Sequence, residues 1–223
     1  MGYGDIPRVI NGVEAGYKEI FAYDSGKNAL VLPAITLMAG YGVLEAGQAI
    51  ALNGSSGGNV GKYFPYDPTA TATGAILAAA RIRIVADGAD STAVWVTKGD
   101  SNKADVGDNL YAIDADTAAS DLGLITAIDT TTYQHVDVIT VTSNLASTYT
   151  VAGFAYVMVK GYDVCKGILK KTVDTGTGSN AKGAVCDLVV SNAILYSGAL
   201  VNVDAAALVD LSATAVGQYT ILK

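Results

Sequence analysis

From Leu30 onward, short apolar runs alternate with clusters of Gly, Asp and Asn, a spacing that predicts β-strands separated by turns. Val31 to Met38, Arg81 to Val85, Ala93 to Thr97, Leu122 to Ile128, Val136 to Val141, Phe154 to Val159, Ala184 to Val190 and Ala193 to Val203 all read as strands. In Arg81-Ile82-Arg83-Ile84-Val85 polar and apolar positions alternate, which places both arginines on one face of a half-buried strand. Short helices are expected at only two places. One is Asp114 to Asp121, with Asp116 capping Thr117-Ala118-Ala119, and the other is the Ala-rich Asp204 to Leu211.

The first 28 residues follow a different pattern: glycines at positions 2, 4, 12, 16 and 26 separate single large residues. That spacing disfavours a helix or an independently packed unit. Residues 1–28 are therefore expected to form an extended N-terminal arm, which at roughly 90 Å could reach another chain. An ordered first strand packed on its own domain satisfies the same pattern. After the arm, a β-rich body is expected over 29–160, and 161–223 is either an additional β-rich module or an extension of the same domain. The boundary falls near Gly161 to Lys171, ahead of the flexible Asp174-Thr175-Gly176-Thr177-Gly178-Ser179-Asn180 loop. A faint echo links Val43-Leu44-Glu45-Ala46-Gly47 to Ile194-Leu195-Tyr196-Ser197-Gly198; chance similarity in a Gly- and Ala-rich chain accounts for it.

Composition adds a constraint on the surface. Hydrophobic residues make up 51% of the 223 and charged ones 16%, against roughly 25% charged in an ordinary soluble domain. Either the apolar excess lies in contacts between subunits, or an Ala- and Val-rich core sits beneath a Thr/Ser/Asn surface. A net charge of −7 argues against a nucleic-acid partner, because the only cationic clusters are Arg81/Arg83 and Lys170/Lys171. No secretory signal is read in the first 20 residues, which carry Asp5, Pro7, Arg8, Glu14 and Lys18. No membrane partner is expected either: the uncharged stretch Asn28 to Leu44 is shorter than the ~20 residues of a spanning helix and contains Pro33, Gly40 and Gly42. Cys165 and Cys186 belong to no Cys-x-x-Cys pattern, so they are read as free buried thiols, with a bridge between neighbouring strands as the alternative.

Few residues suggest chemistry. Ser56-Gly57-Gly58-Asn59-Val60-Gly61-Lys62-Tyr63 imitates a phosphate loop, but Ser56 replaces the required first glycine and Tyr63 the magnesium-binding Ser or Thr. The single histidine, His135, would share a strand face with Asp137, yet no Gly-x-Ser-x-Gly turn supplies a nucleophile. Zinc would have to draw on one His and two distant cysteines. The Asp100 to Asp108 loop holds oxygen donors, but Ala104 breaks the calcium-loop spacing. No catalytic residue, cofactor or metal site is therefore expected. The thirteen tyrosines carry more information, since Tyr combines apolar area with a water-tolerant hydroxyl. Tyr63, Phe64 and Tyr66, set among glycines and prolines, either project from a rigid loop or form an aromatic cluster beneath it.

The sequence order of Gly40-Tyr41-Gly42-Val43-Leu44, the Gly54 to Gly61 loop, Lys62-Tyr63-Phe64-Pro65-Tyr66-Asp67-Pro68 and Thr73-Gly74-Ala75-Ile76-Leu77-Ala78 resembles the head decoration (cement) proteins of tailed phages, of the lambda D type. Gly42, Val43, Leu44, Pro65, Tyr66, Asp67, Gly74, Ile76 and Leu77 carry the match, and residues beyond about 110 have no counterpart. The resemblance implies a mainly β, compact β-barrel or β-tulip-like body with the N-terminal arm and the additional C-terminal β-rich region attached. It further implies a homotrimer at threefold positions on the outer surface of an expanded capsid, assembled in the host cytoplasm, with the major capsid protein as partner. Such a protein stabilises the shell against internal DNA pressure by binding, without catalysis. On this reading the arm residues Tyr3, Ile6, Val9, Ile10, Val13 and Tyr17, with Tyr63, Phe64 and Tyr66, form the capsid and subunit interface. The rivals are a tail-tube or fibre subunit and a carbohydrate-binding or hydrolytic β module. For the latter, Trp95 would be the stacking platform, although its place in Ala93-Val94-Trp95-Val96 reads as core.

Overall fold

The computed structural model describes residues 8–10, 13–15, 19–22, 29–55, 57–67, 81–114, 119–214 and 220–222. The strand-like runs pair as strands, except that Ala193 to Val203 is strand only at its start and then turns through a 3-10 segment, Ser197–Ala199. In chain order, β1 (Arg8–Ile10), β2 (Val13–Ala15), β3 (Leu30–Leu37), β4 (Val43–Leu44), β5 (Ala49–Leu52) and β6 (Tyr63–Pro65) come first. The middle supplies β7 (Ile82–Arg83), β8 (Ser91–Thr97), β9 (Asn109–Ile113), β10 (Ser120–Asp129), β11 (Val136–Leu145) and β12 (Tyr156–Val159). The last part adds β13 (Cys165–Leu169), β14 (Val173–Asp174), β15 (Ala184–Ser191), β16 (Ile194–Tyr196), helix α1 (Ala205–Thr214) and β17 (Thr220–Leu222).

The protein is mainly β, built on a closed five-stranded barrel and a nearly closed six-stranded sheet. The first barrel runs β13-β15-β3-β6-β5 and joins the two ends of the chain. Its registers include Ile168↔Ala49, Leu169↔Leu188, Ile35↔Cys186, Ile50↔Pro65 and the parallel pair Leu37↔Tyr63. Leu37, Ile50, Phe64, Ile168 and Val189 are fully buried there. Closing the sheet in this way removes the open edges that would otherwise bond to foreign strands.

Between β6 and β13 the chain builds the second sheet, ordered β7-β12-β9-β10-β11-β8. An isolated bridge, Ile84↔Val96, and the bond from Val85 N–H to the Trp95 carbonyl (2.9 Å) draw its outer strands together. Within 161–223, β13 and β15 complete the barrel begun by β3, β5 and β6. Sequence could not settle this, because each barrel strand looks alike whichever neighbour it has.

Helix α1 forms where the Ala run predicts it. Asp204 Oδ1 accepts the Ala207 N–H at 2.8 Å as an N-cap, and Ala207 and Leu211, one turn apart, are buried against the barrel. The helix expected over Asp114 to Asp121 is corrected in its last residues: Ser120 and Asp121 open β10 and pair with Ala112 and Tyr111 of β9. Residues 115–118 lie outside the described residues. Tertiary pairing overrides a weak local propensity here. Strands β5, β9 and β13 were not anticipated, since β5 is only four residues of small and apolar side chains.

The N-terminal segment is not extended throughout. Arg8–Ile10 and Val13–Ala15 make a hairpin with Arg8↔Ala15 and Ile10↔Val13 in register. Residues 19–22 dock on the body, where Ala22 N–H bonds to the Ile194 carbonyl (2.8 Å), Tyr196 N–H to the Ile20 carbonyl (3.1 Å), and Ile20 and Ala22 are buried. The first echoing segment ends against the chain just beyond the second. Val201 N–H donates to the Gly47 carbonyl (2.9 Å), and a Cβ on Gly47, whose φ is +89°, would lie 2.0 Å from the Ala199 oxygen. Only glycine fits that approach.

Candidate functional site

The aromatic residues chosen as contacts fold inward. Phe64 is 0% exposed and stacks on Tyr41 at 6.1 Å, while Tyr66 is buried with its hydroxyl donating to Asp204 Oδ1 at 3.1 Å. Tyr63 is half-buried in the same strand. Phe64 and Tyr66 are therefore buried and unavailable as an interface; β6 is a barrel strand, which the glycines and prolines around it concealed. Val9, Ile10 and Val13 belong to the β1–β2 hairpin. Tyr3, Ile6 and Tyr17, with Gly74, Ile76 and Leu77, lie outside the described residues.

Trp95 is corrected in the opposite direction. Val94 and Val96 are buried, so alternation turns Trp95 outward. There it lies half-buried, edge-on to the exposed Tyr133 with ring centroids 4.7 Å apart. His135 is exposed, whereas Asp137 is buried and taken up by other donors: Gly99 N–H (2.7 Å), Ser101 Oγ–H (2.7 Å) and Lys98 Nζ (3.0 Å). Burial pushes the Asp137 carboxyl up, but these hydrogen bonds outweigh it and hold the group below its ordinary value. Asp137 thus fixes the turn after β8 and has no base to orient.

The densest polar group lies where the two sheets meet. Asp108, fully buried, accepts four N–H groups: Asn53 Nδ2 (2.9 Å), Asn59 N (2.9 Å), Asn59 Nδ2 (3.0 Å) and Asp105 N (2.9 Å). Asn53 precedes the glycine-rich loop of the first barrel and Asn59 lies within it, and Asp108 immediately precedes β9 of the second sheet. Lys62 Nζ donates to Asn59 Oδ1 at 2.7 Å. Nearby, Tyr41 O–H bonds to the Lys103 carbonyl (2.8 Å), and Gly54 N–H to that of Lys160 (2.9 Å). In the loop that resembled a phosphate cradle, Asn59 and Lys62 are therefore turned onto the protein itself. A fork from Arg81 to Asp67 (2.8 and 3.3 Å) completes the seam, with the guanidinium 4.2 Å above the Tyr156 ring. Burial raises the Tyr156 hydroxyl to about 12, so it stays protonated.

In the Asp100 to Asp108 loop, Asp100 pairs with Lys103 (3.1 Å) and Asp108 is already saturated by nitrogen donors. Among the described residues no group of three His, Cys, Asp or Glu side chains could hold a metal ion. Cys165 and Cys186 are free and buried, their thiols pushed up by burial to about 12 and about 11, which makes both unreactive. Among the described residues no helix is long and apolar enough to cross a membrane.

What remains open to a partner is apolar side chains on the outside: Phe154, Val185, Val209 and Val43 are each more than 60% exposed. Phe154 was missed from sequence because it begins a run that reads as strand. Strand pairing starts only at Tyr156, and Phe154 belongs to the preceding turn, whose Gly153 was the available signal. Charge is divided just as unevenly. Residues 82–159 carry three Lys/Arg against ten Asp, whereas the rest of the chain carries eleven cations and eleven acids. Compared with known families, curated proteins and solved structures, the chain matches no family model, no curated protein and no solved fold.

Proposed function

We propose that this protein works by binding alone, as a decoration subunit on the outer surface of an expanded phage capsid, assembling as a trimer and stiffening the shell against packaged DNA. One observation carries the reading: buried Asp67, Asp108, Asp137 and Lys103 are bonded to the protein's own donors and acceptors, while large apolar side chains stand in solvent. Polar groups spent on rigidity and apolar groups left outside suit a protein that holds others together. Two of the residues that carry the resemblance support it by acting as framework. Gly42 N–H bonds to the Gly176 carbonyl (2.9 Å), and Asp67 N–H to that of Tyr162 (2.9 Å). The net negative charge suits an outer position, away from the genome.

Co-sedimentation with expanded and with unexpanded heads tests this. Preferential pelleting with expanded heads is the expected result, and failure on both would remove the reading. A second reading has one specific observation in its favour, the outward Trp95 beside Tyr133, which could stack on a sugar ring. Tryptophan fluorescence titrated with soluble glycans decides it, because this is the only tryptophan in the chain; an unchanged spectrum at millimolar sugar ends that option.

A further inference from the structure

Phe154 is the most exposed large apolar side chain among the described residues, at 73%, and its backbone is left-handed with φ +57°. A bulky aromatic residue rarely adopts that conformation, and here a tight turn enforces it: Phe154 N–H bonds to the Val151 carbonyl (3.1 Å) and Ala155 N–H to that of Thr150 (3.1 Å). The turn is also tied sideways. Val151 N–H donates to Asp87 Oδ1 (2.7 Å), and Gly88 N–H to the Tyr149 carbonyl (2.8 Å). The ring is thus presented at the end of the second sheet by a backbone that is already held, which lowers the ordering cost of docking it.

The surroundings indicate what it docks on. Asp87 is bonded to the turn itself, Asp90 follows in the same loop, and Asp114 Oδ2 lies 3.7 Å from the Cβ position of Gly153. Cations are few around them: residues 84–97 and 104–159 contain neither Lys nor Arg, and the nearest in sequence is the exposed Arg83, four residues before Asp87 and opposite Tyr156. We infer that this end of the six-stranded sheet is a docking tip. Phe154 is its apolar anchor, Asp87 and Asp90 of the adjoining loop form its acidic collar, and the occupant is a protein face carrying Lys or Arg around an apolar pocket. A hot spot has this layout, an aromatic anchor surrounded by charge that steers approach. The same collar repels nucleic acid, an anionic membrane and the identical tip of a second copy. The inference deepens the capsid reading by naming the contact, and rests on it for the natural partner.

Wild type, Phe154→Ser and the double variant Asp87→Asn/Asp90→Asn are compared by co-sedimentation with expanded heads at low and at about 300 mM salt. Circular dichroism serves as the fold control, since an exposed Phe can be replaced without opening the core. Weakening of about tenfold for Phe154→Ser, with a smaller loss and a flatter salt dependence for the double variant, is the expected result. Pelleting of Phe154→Ser equal to wild type leaves the capsid reading intact and overturns the tip. If wild type itself ignores heads, a surface-bound Lys/Leu peptide with its Glu/Leu counterpart as control decides the matter. Binding to the cationic peptide that Phe154→Ser loses supports the tip, and equal or absent binding overturns it. Self-association of wild type that Phe154→Ser abolishes would make a second copy the occupant and overturn the assignment to a foreign partner.

Discussion

The two sheets of this protein solve closure in different ways. The five-stranded barrel is assembled from both ends of the chain, so β3 must find β15 across more than a hundred intervening residues. The six-stranded sheet is continuous in sequence, from β7 to β12, and its largest interfaces are between chain neighbours or near neighbours such as β10 with β11. Their surfaces differ as well. All of the net charge of −7 falls within residues 82–159, and the remainder of the chain is balanced. An acidic sheet is thus joined to a remainder whose charges balance. Asp108 joins the two.

The sharpest way to break that relation is Asp108→Ala, which leaves four N–H donors, three of them buried, without their acceptor and is expected to cost about 3–5 kcal/mol. Because Trp95 lies in the second sheet only, urea unfolding followed by tryptophan fluorescence and by far-UV circular dichroism should coincide in wild type and separate in this variant. Coincident curves in both would mean that the seam does not depend on Asp108. Next in size, Phe64→Ala opens a cavity in the first barrel and should lose about 3–5 kcal/mol. Trp95→Ala, on the outer face of the second, should lose only about 1–2 kcal/mol. Equal losses by denaturant midpoint would contradict the inward and outward assignments.

Two smaller effects sharpen the contrast. Phe154→Gly relieves a left-handed backbone and should raise stability by about 1 kcal/mol, read as a higher melting temperature; a lower one would place Phe154 among packing residues. Asp137 supplies a pH test. Its folded pKa is depressed, so its stabilisation is complete above the unfolded carboxyl value of about 3.9 and is lost as pH falls through the lower folded value. Asp137→Asn should therefore be less stable at neutral pH and lose less on acidification, and an unchanged acid limb in thermal melts would count against this role.

Much of the framework was readable in the chain. Alternation in Arg81 to Val85, the β-branched run Val136 to Val141 and the Ala-rich Asp204 to Leu211 report local periodicity, and each became the element it suggested. The free, buried cysteines were legible for the same reason, as isolated small apolar residues inside strands. Tyr66 and Trp95 were misread because hydrophobicity gives a residue's appetite for burial, while its face is set by which neighbour its strand acquires. Phe154 was invisible because a turn one residue longer or shorter reverses where an aromatic points.

The sequence by itself determined that this protein is a β structure with few charges, since period, composition and turn chemistry act locally. Only the tertiary structure decided that β3, β5 and β6 close one barrel with β13 and β15, that Asp108 knits the barrel to the six-stranded sheet, and that Phe154 faces outward. Those outcomes depend on contacts between residues far apart in the chain, and no local pattern encodes which of several similar strands will meet.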